Sequence, residues 1–318
     1  MDAYLARYTT PHSRHQNAAY LNHLFRHTGR RHPAEVTEAD LFGWVRARAD
    51  GQNRPLANNS VRQRLSCVRS FFRWCQRKGL VTTDPTIELD VLRRSYPRTY
   101  GKTQAAHPAR WLTKQEAFGT LVGSSQDGTS RGMRDEIALR LGLAGLRSAE
   151  IATLTVGNLR LDADPPRIEW MGKGRKPRCI VPGATLVEVF RSYLAAYAHG
   201  LLRPVVSSDP LLCREVIGAA RQGGRRRLDW GRSMTRRTFF AIVQGRAKKA
   251  GLGHVSPHDL RRSAAGILHG ERSADGGHLF DLLDIQKVLD HADPATTQRS
   301  YLDPLDTGMK RRASTVLD

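Results

Sequence analysis

Three observations predict a mainly α fold with a small antiparallel β-sheet, divided into two domains, for this 318-residue chain. Apolar residues recur at helical steps of three and four through most of its length, with capping residues where the runs begin and end. Residues 167–171 and 177–181 have strand character instead, and glycines stand between them. The stretch from about 93 to 110 has no apolar period and holds Pro97, Gly101 and Pro108, the composition of a linker. The expected division is a helical domain over 1–95, a basic linker over 96–110 and a second domain over 111–318, each domain large enough for its own core.

In the first domain, Thr10 and Pro11 read as N-cap and first residue of a helix. It runs through Tyr20, Leu21, Leu24 and Phe25 and stops at Gly29. Thr37 with Asp40 resembles a capping box opening a second helix, with Leu41, Phe42, Trp44 and Val45 to bury. A third helix is expected from Ser60 as cap to Gly79 as stop. There Val61, Leu65, Val68, Phe72 and Cys75 draw one apolar stripe, while Arg62, Arg69, Arg73 and Gln76 fall on another face. An arginine face suits DNA, because guanidinium groups neutralise phosphates and fork onto guanine edges.

The second domain begins near Trp111, with Thr113 and Glu116 as another capping box. A longer helical pattern runs from about Arg131 to the Gly142–Gly145 region. Ser148 is expected to cap a short helix, leaving Arg147 at the turn before it, where backbone N–H groups point outward and a phosphate can be held. Between the two strands, Gly172 and Gly174 mark a hairpin tip that presents Lys173. A helix follows from about Ala184 to His199. Residues 200 to 233 show no period and carry Arg225, Arg226 and Arg227 in a run, so a loop or partial helix near DNA is expected there. Helical pattern resumes from Thr235 to Lys249. Ser256 then caps a helix with Pro257 first, placing His258 and Arg261 three apart so that both project in one direction. A last helix starts near Asp281, buries Leu282, Ile285 and Leu289, and delivers His291.

The bulk composition narrows the function class. Lys and Arg number 51 against 30 Asp and Glu, a formal charge of +21, which is the footprint of a polyanion binder with nucleic acid as the first partner to test. With 40% hydrophobic residues, the charge lies on a folded surface and not along a disordered tail. Cys67, Cys75, Cys179 and Cys213 show no C-x-x-C spacing and read as reduced thiols of a cytosolic protein. No apolar run approaches the ~20 residues of a membrane span and no signal peptide is apparent, so a soluble cytoplasmic protein is expected. His254, His258, His269 and His291 have no H-E-x-x-H or carboxylate cluster beside them, and neither metal nor cofactor is expected.

Arg147, Lys173, His258, Arg261, His291 and Tyr301 stand in the order R, K, H-x-x-R, H, Y. In context they read Gly-Leu-Arg147-Ser-Ala-Glu150-Ile, Gly-Lys173-Gly-Arg175-Lys176-Pro-Arg, Pro-His258-Asp-Leu-Arg261, and Leu-Asp-His291 followed by Thr-Thr-Gln and Tyr301. This set resembles the tyrosine recombinases of the phage integrase family, also called lambda integrase-like. The resemblance implies a helical SAM-like core-binding domain joined to a mixed α/β catalytic domain of the DNA breaking-rejoining fold. The two would form a C-shaped clamp, with no separate arm-binding domain before it.

The resemblance also assigns roles. Tyr301 is the nucleophile that forms a 3′-phosphotyrosine, and Arg147 and Arg261 clamp the non-bridging phosphate oxygens. Lys173 is the general acid for the 5′ hydroxyl, His258 assists proton removal from Tyr301, His291 donates a hydrogen bond to the phosphate, and Glu150 supports the cluster. Arg62, Arg69, Arg73, Arg175 and Lys176 are the expected DNA contacts. Partners would be double-stranded DNA, further copies of the chain in a tetramer on two sites, and an accessory directionality factor. The family usually has glycine where Asp290 stands, and more often nine positions than ten between the last histidine and the tyrosine. Type IB topoisomerase-like relaxation, or a DNA-binding relative with weakened catalysis, are the alternatives.

Overall fold

A computed structural model describes residues 1–46, 58–87, 89, 111–172, 176–217, 226–273 and 277–289. Chain contacts divide it into two compact units, 1–108 and 109–318.

The first unit is helical, with α1 (Asp2–Leu5), α2 (Pro11–Thr28), α3 (Glu38–Arg46) and α4 (Asn58–Arg77). Thr10 caps α2 by accepting from the Ser13 N–H at 3.3 Å, and Gly29 ends it at φ +69°, a left-handed conformation that favours glycine. The α3 capping box is reciprocal: Thr37 N–H donates to Asp40 Oδ2 at 2.9 Å, and Asp40 N–H to Thr37 Oγ1 at 3.2 Å. Helix α4 begins at Asn58, so Ser60 lies inside its first turn and does not cap it. A serine in the first turn and a serine at the cap look alike in sequence, which is why the boundary was ambiguous. The stripe of Val61, Leu65, Val68, Phe72 and Cys75 is buried against Tyr4, Leu21, Leu24, Leu41 and Trp44. Each such apolar side chain stabilises the unit by about 1.5–3 kcal/mol. Arg64 is also buried, its guanidinium 5.4 Å from the centre of the Trp44 ring.

The second unit contains α5 (Gln115–Val122), α6 (Ser130–Leu143), α7 (Ser148–Thr153), α8 (Ala184–Leu201), α9 (Arg236–Lys249), α10 (Pro257–Gly270) and α11 (Leu282–Leu289). Its strands are β1 (Leu159–Arg160), β2 (Arg167–Met171), β3 (Pro177–Ile180), β4 (Cys213–Ile217) and β5 (Arg226–Ser233). Among the described residues β1, β2 and β3 form one antiparallel sheet in that order, with Trp170 opposite Arg178, and β4 and β5 form a second. The expected loop or partial helix over 200–233 is therefore corrected: two paired strands occupy part of it. Only Leu228 of β5 is buried, so the alternation that betrays a strand is missing, and a bulge at Cys213/Arg214 breaks the register.

The core lies between α6, α8, α9 and α10 and includes Ile137, Leu141, Phe190, Tyr193, Phe239, Val243 and Leu260. At one side Arg134 and Arg246 share buried Asp135, their Nε atoms donating at 2.7 and 2.8 Å. Helix α5 is wound as a π-helix and follows the expected Thr113–Glu116 box. Just before it, the Leu112 N–H donates to Ser263 Oγ at 2.8 Å, and the Trp111 ring lies over Gly266, so the start of this unit is anchored to α10. No helix of the described residues is long and apolar enough to cross a membrane.

Candidate active site

The turn after α6 places Arg147. Gly145 adopts φ +92°, and a Cβ there would stand 2.7 Å from Leu289 Cδ2, so the turn is in close contact with the end of α11. Arg147 is in extended conformation as the N-cap residue of α7, and Ser148 is the first helical residue. This corrects the expectation that Ser148 caps. The physical reason is Glu150: its Oε2 accepts the Arg147 backbone N–H at 2.8 Å, closing the turn from the other side. Glu150 Oε1 meanwhile accepts from Arg147 Nη1 at 3.1 Å. One buried carboxylate thus orients both the backbone and the guanidinium of Arg147.

Helix α10 places the next two residues. Ser256 accepts the Asp259 N–H at 3.3 Å and donates its hydroxyl to Asp259 Oδ2 at 2.7 Å, fixing the first turn. Arg261 lies one turn on from His258, is only 5% exposed, and donates from Nη2 to the Leu289 carbonyl. His258 keeps an exposed side chain, yet its pKa is lowered. Crowding of its ring by protein is the largest cause, the charges of Arg262 and Arg261 add to it, and Asp259 opposes it. The imidazole therefore stays neutral to lower pH than an ordinary histidine and can accept a proton.

Leu289 is the meeting point. The Arg147 turn packs on its side chain through Gly145, and Arg261 holds its carbonyl. Three segments far apart in sequence converge two residues before His291. His291 and Tyr301, with Asp290, Lys173 and Arg175, lie outside the described residues. Lys176 is exposed, and its carbonyl accepts from the Gly172 N–H at 2.8 Å, closing the hairpin below the tip. Arg62, Arg69 and Arg73 belong to the first unit, on α4, where Arg73 is exposed and the other two half-buried.

One residue of the site escaped the sequence reading. Arg178 on β3 reaches Glu150 Oε1 with its Nη1 at 3.5 Å, and both side chains are largely buried. Burial lowers its pKa, Glu150 offsets that, and Arg147 lowers it further, so the two guanidinium groups flank one carboxylate. The signal available in sequence was only an arginine at the second position of the expected strand 177–181, which periodicity does not distinguish from a solvated strand position.

Comparison with known proteins bears on the family and the fold. Residues 110–307 match the model of the phage integrase family, and residues 3–79 match the phage integrase N-terminal SAM-like domain. A tyrosine recombinase XerD of Neisseria meningitidis serogroup B is 31% identical over 83% of this chain and 77% of its own length. Among solved structures, XerH site-specific recombinase bound to palindromic difH substrate, in a post-cleavage complex, superposes with a TM-score of 0.64. It is 17% identical over 96% of this chain and 80% of that one. A lambda integrase tetramer bound to a Holliday junction has a TM-score of 0.58 and 13% identity over 96% and 78%. At these identities the two structures speak for the fold, mainly helical with small antiparallel sheets. Because the family model spans well over half of the residues, the chain belongs to the phage integrase family.

Proposed function

We propose that the chain is a site-specific DNA recombinase that cleaves and rejoins strands through a 3′-phosphotyrosyl intermediate at Tyr301. The observation that carries this reading is the convergence of Arg147, braced by Glu150, and Arg261 on the end of α11 two residues before His291. Two guanidinium groups held by neighbouring parts of the fold suit a planar, bidentate grip on a phosphodiester, for which lysine is a poor replacement.

In cleavage the Tyr301 oxygen forms a bond to phosphorus, and its proton passes to His258. The P–O5′ bond breaks, its electron pair stays on the 5′ oxygen, and Lys173 protonates that oxygen. Arg147, Arg261 and His291 stabilise the charge that builds on the non-bridging oxygens. The phosphotyrosine conserves the broken linkage, so rejoining to another 5′ hydroxyl requires neither ATP nor a metal. Arg62, Arg69, Arg73, Arg175 and Lys176 contact the duplex.

Four copies acting on two sites is the assembly we propose, in line with the lambda integrase tetramer bound to a Holliday junction. An accessory directionality factor and a place among the DNA of the cell interior complete the reading. The test uses nicked suicide duplexes carrying inverted repeats from the DNA that flanks the gene. A covalent protein–DNA adduct is expected with the native chain and none with Tyr301→Phe. An adduct that persists in that variant, or none at all with the native chain, refutes the proposal.

A further inference from the structure

The β2–β3 hairpin is tied to the Arg147 turn through one side chain. Arg178 stands opposite Trp170 on β3 and extends across Gly172 at the end of β2 to Glu150 on α7. The approach over Gly172 is so close that a Cβ there would lie 2.1 Å from Arg178 Nε and 2.6 Å from its Cδ. Two independent features, a glycine that leaves room for the guanidinium and a buried carboxylate at its far end, therefore define the path of this arginine. On the other edge of β2, Asn158 donates from Nδ2 to the Glu169 carbonyl at 2.7 Å, so the base of the hairpin is held from both sides.

From this geometry we infer that Arg178 is a positioning residue: its ion pair with Glu150 fixes the hairpin, whose tip bears Lys173, against the turn that bears Arg147. The inference rests on the recombinase reading above and adds a residue to it. Lys173 is bonded directly to Gly172, and the Gly172–Lys176 hydrogen bond closes the hairpin below the tip, so displacing Gly172 displaces the origin of the lysine. Removing Arg178 leaves Glu150 still bound to the backbone and guanidinium of Arg147. The phosphate clamp keeps its support while the hairpin loses its tether, and the defect falls on proton delivery to the 5′ oxygen.

The nature of the leaving group reads this out. In a suicide duplex with sulfur replacing the bridging 5′ oxygen, the group leaves as a thiolate and needs no proton. Arg178→Met is expected to slow adduct formation on the oxygen duplex on the order of 10- to 100-fold, the effect of misplacing a reacting group by about an ångström. On the sulfur duplex its rate should return to within about threefold of the native chain measured on that same duplex, as for Lys173→Ala; Arg147→Ala should stay slow on both, since its loss concerns the phosphate oxygens.

Gly172→Ala, which pushes Arg178 off its path, is expected to show the same pattern as Arg178→Met and serves should the latter not fold. DNA binding and thermal unfolding identify a folded variant. An undiminished rate of the folded variants on the oxygen duplex, or an equal loss on both duplexes, overturns the inference. Absence of adduct with the native chain instead refutes the recombinase reading itself, so the two failures are distinct.

Discussion

Gly145→Ala perturbs the point where the two arginine-bearing segments meet, and its cost can be worked from the structure. At φ +92° an L-residue costs about 1–2 kcal/mol relative to glycine. The new Cβ would stand 2.7 Å from Leu289 Cδ2, whereas an ordinary carbon contact lies at about 3.5–4.0 Å. Leu289 is 1% exposed and packed against Ala264, Ala265 and Ile285, so its methyl has nowhere to swing. Overpacking of this kind adds about 1–3 kcal/mol.

The sum, about 2–5 kcal/mol, lowers Tm by roughly 5–15 °C for a domain of this size. Relief comes by parting the Arg147 turn from the end of α11 by about 1 Å, which costs up to ~100-fold in the rate of adduct formation. Gly251→Ala is the control: φ is +69° and nothing lies within 4 Å of the added Cβ, so only the backbone cost of about 1–2 kcal/mol applies. Differential scanning calorimetry gives the stabilities and the suicide duplex gives the rates. Equal Tm shifts for the two variants, with native cleavage by Gly145→Ala, refute the claim that this turn and α11 are in forced contact.

Two further outcomes follow from the same structure. Asp135→Ala strips the shared carboxylate from Arg134 and Arg246, which keep Glu215 at 3.5 Å and Asp127 at 3.1 Å, so urea unfolding should show a loss of about 1–3 kcal/mol from the buried donors left unmet. A loss under about 1 kcal/mol shows that the pair is solvated. For His258, the lowered pKa places the acid limb of the cleavage rate below pH ~6.5, the value of an unperturbed histidine. The neutral ring is the proton acceptor, so the rate falls only as pH drops through that lower pKa. In the window between it and ~6.5 the unfolded chain binds the more protons, so folding stability also declines with falling pH. A limb at or above pH 6.5, or one unchanged in His258→Gln, contradicts this assignment.

Much of the fold was legible because helices announce themselves locally. Thr10 and Gly29 bracket α2, and Ser256 with Pro257 opens α10, because caps satisfy donors within three residues along the chain. The β2–β3 hairpin was readable for the same reason, its turn glycines lying between its strands. The β4–β5 pair was not, since its pairing spans residues 218–225 and arginines occupy positions where alternation would show. Short helix α7 was read with its cap one residue late: Arg147 takes the cap position, and the Glu150 carboxylate accepts its backbone N–H.

The sequence by itself determined the chemistry of this protein: which arginines, histidines, lysine and tyrosine are present, in what order, and the family they signify. Residue type sets what a side chain can donate, accept or protonate, and that needs no coordinates. Only the tertiary structure decided proximity. That Gly145 packs against Leu289, that Arg261 holds the Leu289 carbonyl, and that Arg178 crosses Gly172 to reach Glu150 are contacts between residues from 6 to more than 140 positions apart. Such contacts arise because burying apolar helix faces around one core brings distant segments together, and a one-dimensional pattern carries no record of which ends will meet.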